Sequence, residues 1–345
     1  MDFDRWKLDR RDLMVAAGAL ATVPLMARLG IGSAFAQGTT PGAAAPAAPA
    51  ADLATAQAPG FYRFKLGSRT VTVVNDGFGS RPKPTEGFVK NADAAAVEAA
   101  LQAAFLPVDT LRIPYTVTFL ETADGIIAFD AGTGGQLGAT AGRMAANMAA
   151  AGMDPARVTH VVMAHFHGDH ITGLTTADDK PVFPNATVHV PKAEYAYWMS
   201  EENAGKAPDA MKPAFANVRR RLEPYKAKLK QIEEGEVLPG VIALSTPGHT
   251  PGHTSYLLAD GNAQAMVLGD ITNRPEMNLA NPGWHLVFDM DAELAEKTRR
   301  EVFDRVATDR IRCIGYHWPF PANGYVAKTE GGYRFVPADW ASAVL

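Results

Sequence analysis

Cysteine is nearly missing: Cys313 is the single thiol in 345 residues. One thiol excludes an intrachain disulfide and any metal site built on several thiolates, and the flanking Ile311 and Ile314 mark it as a small buried side chain. Long apolar runs are missing too. The uncharged stretch from Leu13 to Ala27 is fifteen residues, short of the roughly twenty that a spanning helix needs, and Gly18 and Pro24 interrupt it. Nor is there an excess of positive charge. Lys and Arg number 33 against 37 Asp and Glu, a net charge of −4, which argues against a nucleic-acid backbone as partner. The densest basic cluster, Arg219-Arg220-Arg221 with Lys226, Lys228 and Lys230, is broken by Glu223 and Pro224 and reads as a solvated helix face.

What is present begins with a targeting pattern. Asp9-Arg10-Arg11-Asp12-Leu13-Met14 sets two adjacent arginines before the apolar run, and Ala34-Phe35-Ala36 supplies small residues at both ends of a cleavage triplet. Residues 1–36 thus resemble a twin-arginine export signal, which implies a periplasmic or secreted protein with no stable membrane anchor after cleavage. Its removal takes five basic and four acidic side chains, leaving 28 against 33. Residues 37–59 are almost entirely Ala, Pro, Gly and Thr, with too little apolar area to offset ordering entropy, and read as a disordered linker. Residues 60–345 are enough for one substantial domain.

Within that domain short β-branched runs alternate with helical stretches. Strands are expected at Thr70–Val74, Tyr115–Leu120, Ile126–Phe129, Val158–Ala164, Thr187–Val190, Val241–Ser245, Ala265–Leu268 and Ile311–Gly315. Helices are expected at Ala92–Phe105, Ala139–Ala151, Lys192–Ser200, Asp209–Lys230 and Ala292–Val306. Strands covered by helices make a layered α/β fold.

The densest chemistry lies directly after one of these strands. His165-Phe166-His167-Gly168-Asp169-His170 packs four metal-ligand side chains into six residues. Gly168 supplies backbone freedom at the crowded point, and imidazole with carboxylate suits Zn2+, with Mn, Co or Fe also accommodated. Asp130, His249, Asp270 and His317 each follow other predicted strands, and strand ends meeting at one sheet edge make a concave, rigid site.

The hexapeptide, together with Thr246-Pro247-Gly248-His249-Thr250-Pro251-Gly252-His253, Leu268-Gly269-Asp270 and Gly315-Tyr316-His317-Trp318-Pro319, resembles the metallo-β-lactamase superfamily from about Phe61 onward. The resemblance implies an αββα four-layer sandwich and two divalent metal ions. His165, His167 and His249 would hold one; Asp169, His170 and His317 the other, with Asp270 bridging. Asp130 and His253 would support these ligands by hydrogen bonds, and His160, His189 and His285 would be packing or surface residues. Binuclear chemistry of this kind uses a metal-bridging hydroxide, because bound water loses a proton near neutral pH. Asp169 could shuttle a proton.

Phe61-Tyr62-Arg63-Phe64-Lys65-Leu66-Gly67, Gly142-Arg143-Met144-Ala145-Ala146-Asn147, Phe183-Pro184-Asn185-Ala186 and Gly332-Tyr333-Arg334-Phe335-Val336-Pro337 look most like the exported methyl parathion hydrolase group. That group implies a small-molecule substrate with an ester-type bond, an organophosphate triester, aryl ester or lactone, and allows a homodimer. Trp198, Phe215 and Leu137 fall where its pocket walls lie. Asn273 stands where quorum-quenching lactonases of this fold carry a tyrosine, which alters the expected hydrogen bonding to substrate. An iron-dependent sulfur dioxygenase, a β-lactamase and a thioesterase are the alternatives the superfamily offers.

Overall fold

The computed structural model describes residues 57–344; the expected export signal and the linker as far as residue 56 lie outside the described residues. Pro59–Leu345 form one compact unit. Among the described residues no helix is long and apolar enough to cross a membrane.

Fourteen strands among the described residues make two seven-stranded sheets. The first runs in chain order through β1 (Phe61–Leu66), β2 (Arg69–Pro82), β3 (Thr110–Thr122), β4 (Gly125–Phe129), β5 (Val158–Val162), β6 (Thr187–Pro191) and β7 (Leu229–Ile232). The second contains β8 (Gly235–Leu238), β9 (Val241–Ser245), β10 (Thr254–Asp260), β11 (Ala263–Val267), β12 (Arg312–Ile314), β13 (Asn323–Lys328) and β14 (Tyr333–Pro337), again neighbour beside neighbour. The strands from β4 to β7 pair in parallel, as do β11 and β12; the remaining pairs are antiparallel. The helices are α1 (Ala94–Ala103), α2 (Met144–Ala150), α3 (Gly168–Ile171), α4 (Lys192–Met199), α5 (Glu201–Lys206), α6 (Lys212–Leu222), α7 (Pro275–Asn278) and α8 (Ala292–Thr308).

The period-two alternation of strand side chains decides which layer each residue joins. Val71, Val73, Leu120, Ile127, Phe129 and Val162 meet Val241, Ala243, Tyr256, Leu258 and Val267 from the second sheet, and this is the core between the sheets. On the opposite face Val74, Phe119, Ala128, Val161 and Val188 pack against Met144, Met148, Trp198, Phe215 and Val218 from α2, α4 and α6. The helix α8 covers the other sheet, with the Phe303 ring edge-on to Tyr333 of β14 at 5.2 Å between centroids. The result is the αββα sandwich.

Several element boundaries differ from expectation. The helix expected over Asp209–Lys230 ends at Leu222, because Pro224 cannot continue it, and Lys230 belongs to β7. Tyr225 fixes the turn by donating to Leu174 O and accepting from Phe183 N. The helix expected over Ala139–Ala151 begins only at Met144, since Gly138 and Gly142 adopt positive φ. Arg221 is a correction to the solvated face. It is buried, and its guanidinium donates to Asn217 Oδ1, Thr175 Oγ1 and Gln136 Oε1. The strands β1, β7, β8, β10, β13 and β14 had no expected counterpart. Cys313 is buried, and burial pushes its thiol pKa up, which leaves it inert.

A buried histidine beside a half-buried one gives the fold a pH dependence of its own. Val162 of β5 faces His189 of β6, so His160 and His189 share the inner face, with His160 Nδ1 3.0 Å from His189 Nε2. Burial first, then His160 and Lys230, lower the His189 pKa to about 4 from 6.5, while Asp124 pulls the other way only on His160. A depressed histidine pKa means the unfolded chain binds more protons between these values. The stability that His189 contributes is therefore full above pH 6.5 and lost as pH falls toward 4. Denaturant titrations of His189→Gln and wild type should differ in slope across that window, by about 1–3 kcal/mol in total. Parallel curves would refute the assignment.

Candidate metal centre

The ends of β4 and β5, and the loops after β9, β11 and β12, meet at one edge of the sandwich. Phe129 ends β4, and Asp130 takes a left-handed φ of 65° beyond it. That conformation is tolerable for aspartate and turns its carboxylate back across β5. Asp130 Oδ1 accepts from Ala164 N at 2.7 Å, and its Oδ2 lies 2.8 Å from His170 Nδ1. The hexapeptide is not a bare turn: His167 caps α3, so Asp169 and His170 lie on its first turn.

Asp270 stands in the middle of the cluster. Its Oδ2 is 2.9 Å from His317 Nε2, 3.3 Å from His249 Nε2 and 3.9 Å from His165 Nε2, and its Oδ1 is 3.2 Å from His170 Nε2. Asp169 Oδ2 lies 3.6 Å from His170 Nε2 and 3.5 Å from His317 Nε2. His167 Nδ1 approaches His249 Nε2 at 2.9 Å. Three overlapping groups have ligand atoms within 4.8 Å of one another: His165, His167 and His249; His165, His170 and Asp270; Asp169, His170 and His317. All seven expected ligands are thus together.

Three of the rings are aimed by what the far nitrogen touches. His170 Nδ1 meets Asp130, His249 Nδ1 meets Asp289 Oδ1 at 2.9 Å, and His317 Nδ1 meets Pro114 O at 2.8 Å. These oxygens only accept, so the neutral rings carry their proton on Nδ1 and turn the Nε2 lone pair into the cluster. His253 Nε2 accepts from Asp270 N at 2.9 Å. Gly269 makes this possible, since a Cβ there would sit 2.6 Å from that same nitrogen.

Electrostatics sort the ligands. Burial, reinforced by neighbouring imidazoles, holds His165 and His167 well below the usual histidine range, so both are neutral donors. Burial opposes protonation of His170 and His317 as well, but Asp270, then Asp130 and Asp169, outweigh it at His170, and Asp270 and Asp169 do so at His317, raising both. For Asp270, burial opposes ionisation and the His317 and His170 rings more than offset it, so it is ionised.

The donors present suit a cation. His165 Nε2 is buried without a hydrogen-bond partner, which costs about 1–3 kcal/mol for a group left so, while His170 Nε2 and Asp270 Oδ1 have only each other, as an ion pair at 3.2 Å. All face the same small space, and a nitrogen and oxygen donor set without sulfur fits Zn2+ and its first-row neighbours.

A match to the family model for the metallo-beta-lactamase superfamily covers residues 112–310, more than half of the chain. The chain belongs to the metallo-beta-lactamase superfamily. Among solved structures of this fold, the hydrolase AbOPH shares 25% identity at a TM-score of 0.79, covering 83% of this chain and 100% of that one. AidC, a dizinc quorum-quenching lactonase, shares 23% at 0.77, covering 82% and 99%. An N-acyl homoserine lactonase of Bacillus sp. is 28% identical over 149 residues, 43% of this chain and 52% of the relative. A Bacillus subtilis protein, YobT, is 26% identical over 111 residues, 32% of this chain and 45% of the relative. The chain therefore spans about half the length of these curated relatives.

Superfamily motifs point to the ligands but not to all that hold them. Asp289, which Arg299 Nη2 also contacts at 3.0 Å, sits in no recognisable motif. Tyr316 stacks on His170 with centroids 3.7 Å apart and donates to Asp169 O. Trp198 and Phe215, expected on a pocket wall, are instead buried against each other between α4 and α6, with Trp198 6.1 Å from His167. Leu137 is 48% exposed beside Gly168, and Asn273 lines a narrow cleft with His249, Asp270 and Phe288. A second depression, lined by Arg63, Lys65, Ile126 and Arg157, lies where β4 and β5 begin, the opposite end from the histidines.

Asp130→Asn keeps an acceptor for Ala164 N but turns an amide donor toward His170 Nδ1. Metal affinity measured by chelator competition should fall about 10–100-fold. Unchanged affinity would show that Asp130 does not orient the ligand.

Proposed function

We propose that this chain is a binuclear-metal hydrolase that cleaves ester-type bonds in small apolar molecules, whether lactones, aryl esters or organophosphate triesters. The observation that carries the reading is Asp270, one carboxylate with an oxygen within reach of both imidazole groups. His165, His167 and His249 would hold one divalent ion, and Asp169, His170 and His317 the other. Such ions supply acidified water and neutralise charge on the carbonyl or phosphoryl oxygen.

The rest of the work falls to the chain. Asp169, the more exposed of the two cluster carboxylates at 20%, would carry a proton between incoming water and the departing oxygen. Asn273 Oδ1, buried without a partner, is available to a substrate N–H or hydroxyl. Leu137 and Phe288, 48% and 40% exposed, give the rim an apolar surface for an acyl chain or aryl group. Likeness to the hydrolase AbOPH and to an N-acyl homoserine lactonase supports this substrate range. The paired arginines and the Ala34-Phe35-Ala36 triplet support export by the twin-arginine route to the periplasm or medium.

The test is a panel of one lactone, one aryl ester, one phosphotriester and one cephalosporin, run beside elemental analysis. Two ions per chain are expected, with turnover of at least one ester-type substrate and a loss of about 100-fold or more in His167→Ala. Inertness toward the whole panel would sink the proposal, and one iron per chain with oxygen uptake would replace it by the dioxygenase reading. Leu137→Ala and Phe288→Ala should each raise KM for a long-chain substrate about tenfold with kcat little changed, and should spare a short-chain one.

A further inference from the structure

Glu194 is a carboxylate with no exposed surface, on the first turn of α4, outside every motif that carries ligands. Burying such a group is costly unless its lone pairs are met. Here four donors meet them. Oε1 accepts from Phe166 N at 3.0 Å and from Trp198 Nε1 at 2.7 Å; Oε2 accepts from Thr250 Oγ1 at 2.8 Å and from Gly252 N at 2.9 Å.

The partners explain why a carboxylate is there. Phe166 lies between His165 and His167, on the loop that leaves the first sheet, while Thr250 follows His249 on the loop that leaves the second. One oxygen holds each loop. The loop of the second sheet also crowds the helix itself, since a Cβ on Gly252 would lie 2.0 Å from Glu194 N. Trp198, one turn along α4, fixes the Glu194 side chain and sets its own ring edge-on to His167. An apolar residue of similar volume would pack at lower cost, so what the carboxylate adds is direction. By contrast the other ligand group is held elsewhere, through Asp130, Pro114 O and Tyr316.

We infer that Glu194 is a positioning residue that clips the two loops of the His165–His167–His249 group together across the sheets, setting the cation affinity of that group and not of its neighbour. The inference rests on reading the cluster as a metal centre. Gln at this position keeps the size but turns an NH2 toward two of the four donors. Thr250 can rotate to accept; an N–H cannot, so at least one backbone or indole donor is orphaned.

The experiment is a Co2+ titration of metal-free wild type, Glu194→Gln and Thr250→Val, read by chelator competition and by the visible ligand-field spectrum. Wild type should take up two equivalents. In Glu194→Gln one should weaken about 10–100-fold, with its share of the spectrum altered, while the other moves less than about threefold. Thr250→Val, which removes one donor and leaves the carboxylate, should weaken the same equivalent by a smaller factor, and it carries the test if Glu194→Gln fails to fold by circular dichroism. Equal weakening of both equivalents, or of neither, overturns the inference. Fewer than two equivalents in wild type would overturn the binuclear reading beneath it.

Discussion

The architecture depends on an ionised carboxylate, Asp270, kept in place among four imidazoles at a point where water is mostly excluded. A buried anion is tolerable only with compensating charge or hydrogen bonds. His170 and His317 provide the charge, and His253 accepts the Asp270 N–H, so both the backbone and the side chain of this residue are held. Because the four rings come from two sheets, Asp270 meets them only if the sandwich closes in one register. The interlocked core between Val162, Phe129 and Leu120 on one sheet and Tyr256, Val267 and Ala243 on the other is what sets that register.

Around the ligands stands a ring of oxygen acceptors from unrelated parts of the chain. Asp130 follows β4, Pro114 belongs to β3, and Asp289 precedes α8. Each takes one ring nitrogen, leaving the other free to point inward. Arg299 in turn braces Asp289 and donates to Ile271 O beside Asp270. Positions of this kind require a rigid scaffold, since an ångström of drift in a ligand is felt in both affinity and chemistry. The left-handed Asp130 shows the backbone bent to the same end.

Much of this was legible in the chain before any coordinates. The order and spacing of the histidine motifs and eight of the fourteen strands among the described residues could be read, because ligand clusters and short β-branched runs are local patterns, and the sandwich followed from the family resemblance. Boundaries were less legible. Lys230 looked helical by composition but is carried by β7, where pairing with β6 outweighs intrinsic preference. Arg221 looked solvent-facing within its basic run, yet it is buried because Gln136, Thr175 and Asn217 converge on it from other elements.

Sequence by itself determined the donor chemistry: nitrogen and oxygen ligands, and no usable thiolate. Tertiary structure alone decided which side chains hold those donors still, and whether an aromatic faces substrate or supports the site from beneath. Trp198 illustrates the difference, being equally suited to either role until the packing of α4 on α6 buried it. Glu194 and Asp289 act across distances in the chain that carry no periodic or motif signal. Their roles arise only when two sheets bring loops from opposite halves of the domain within hydrogen-bonding reach.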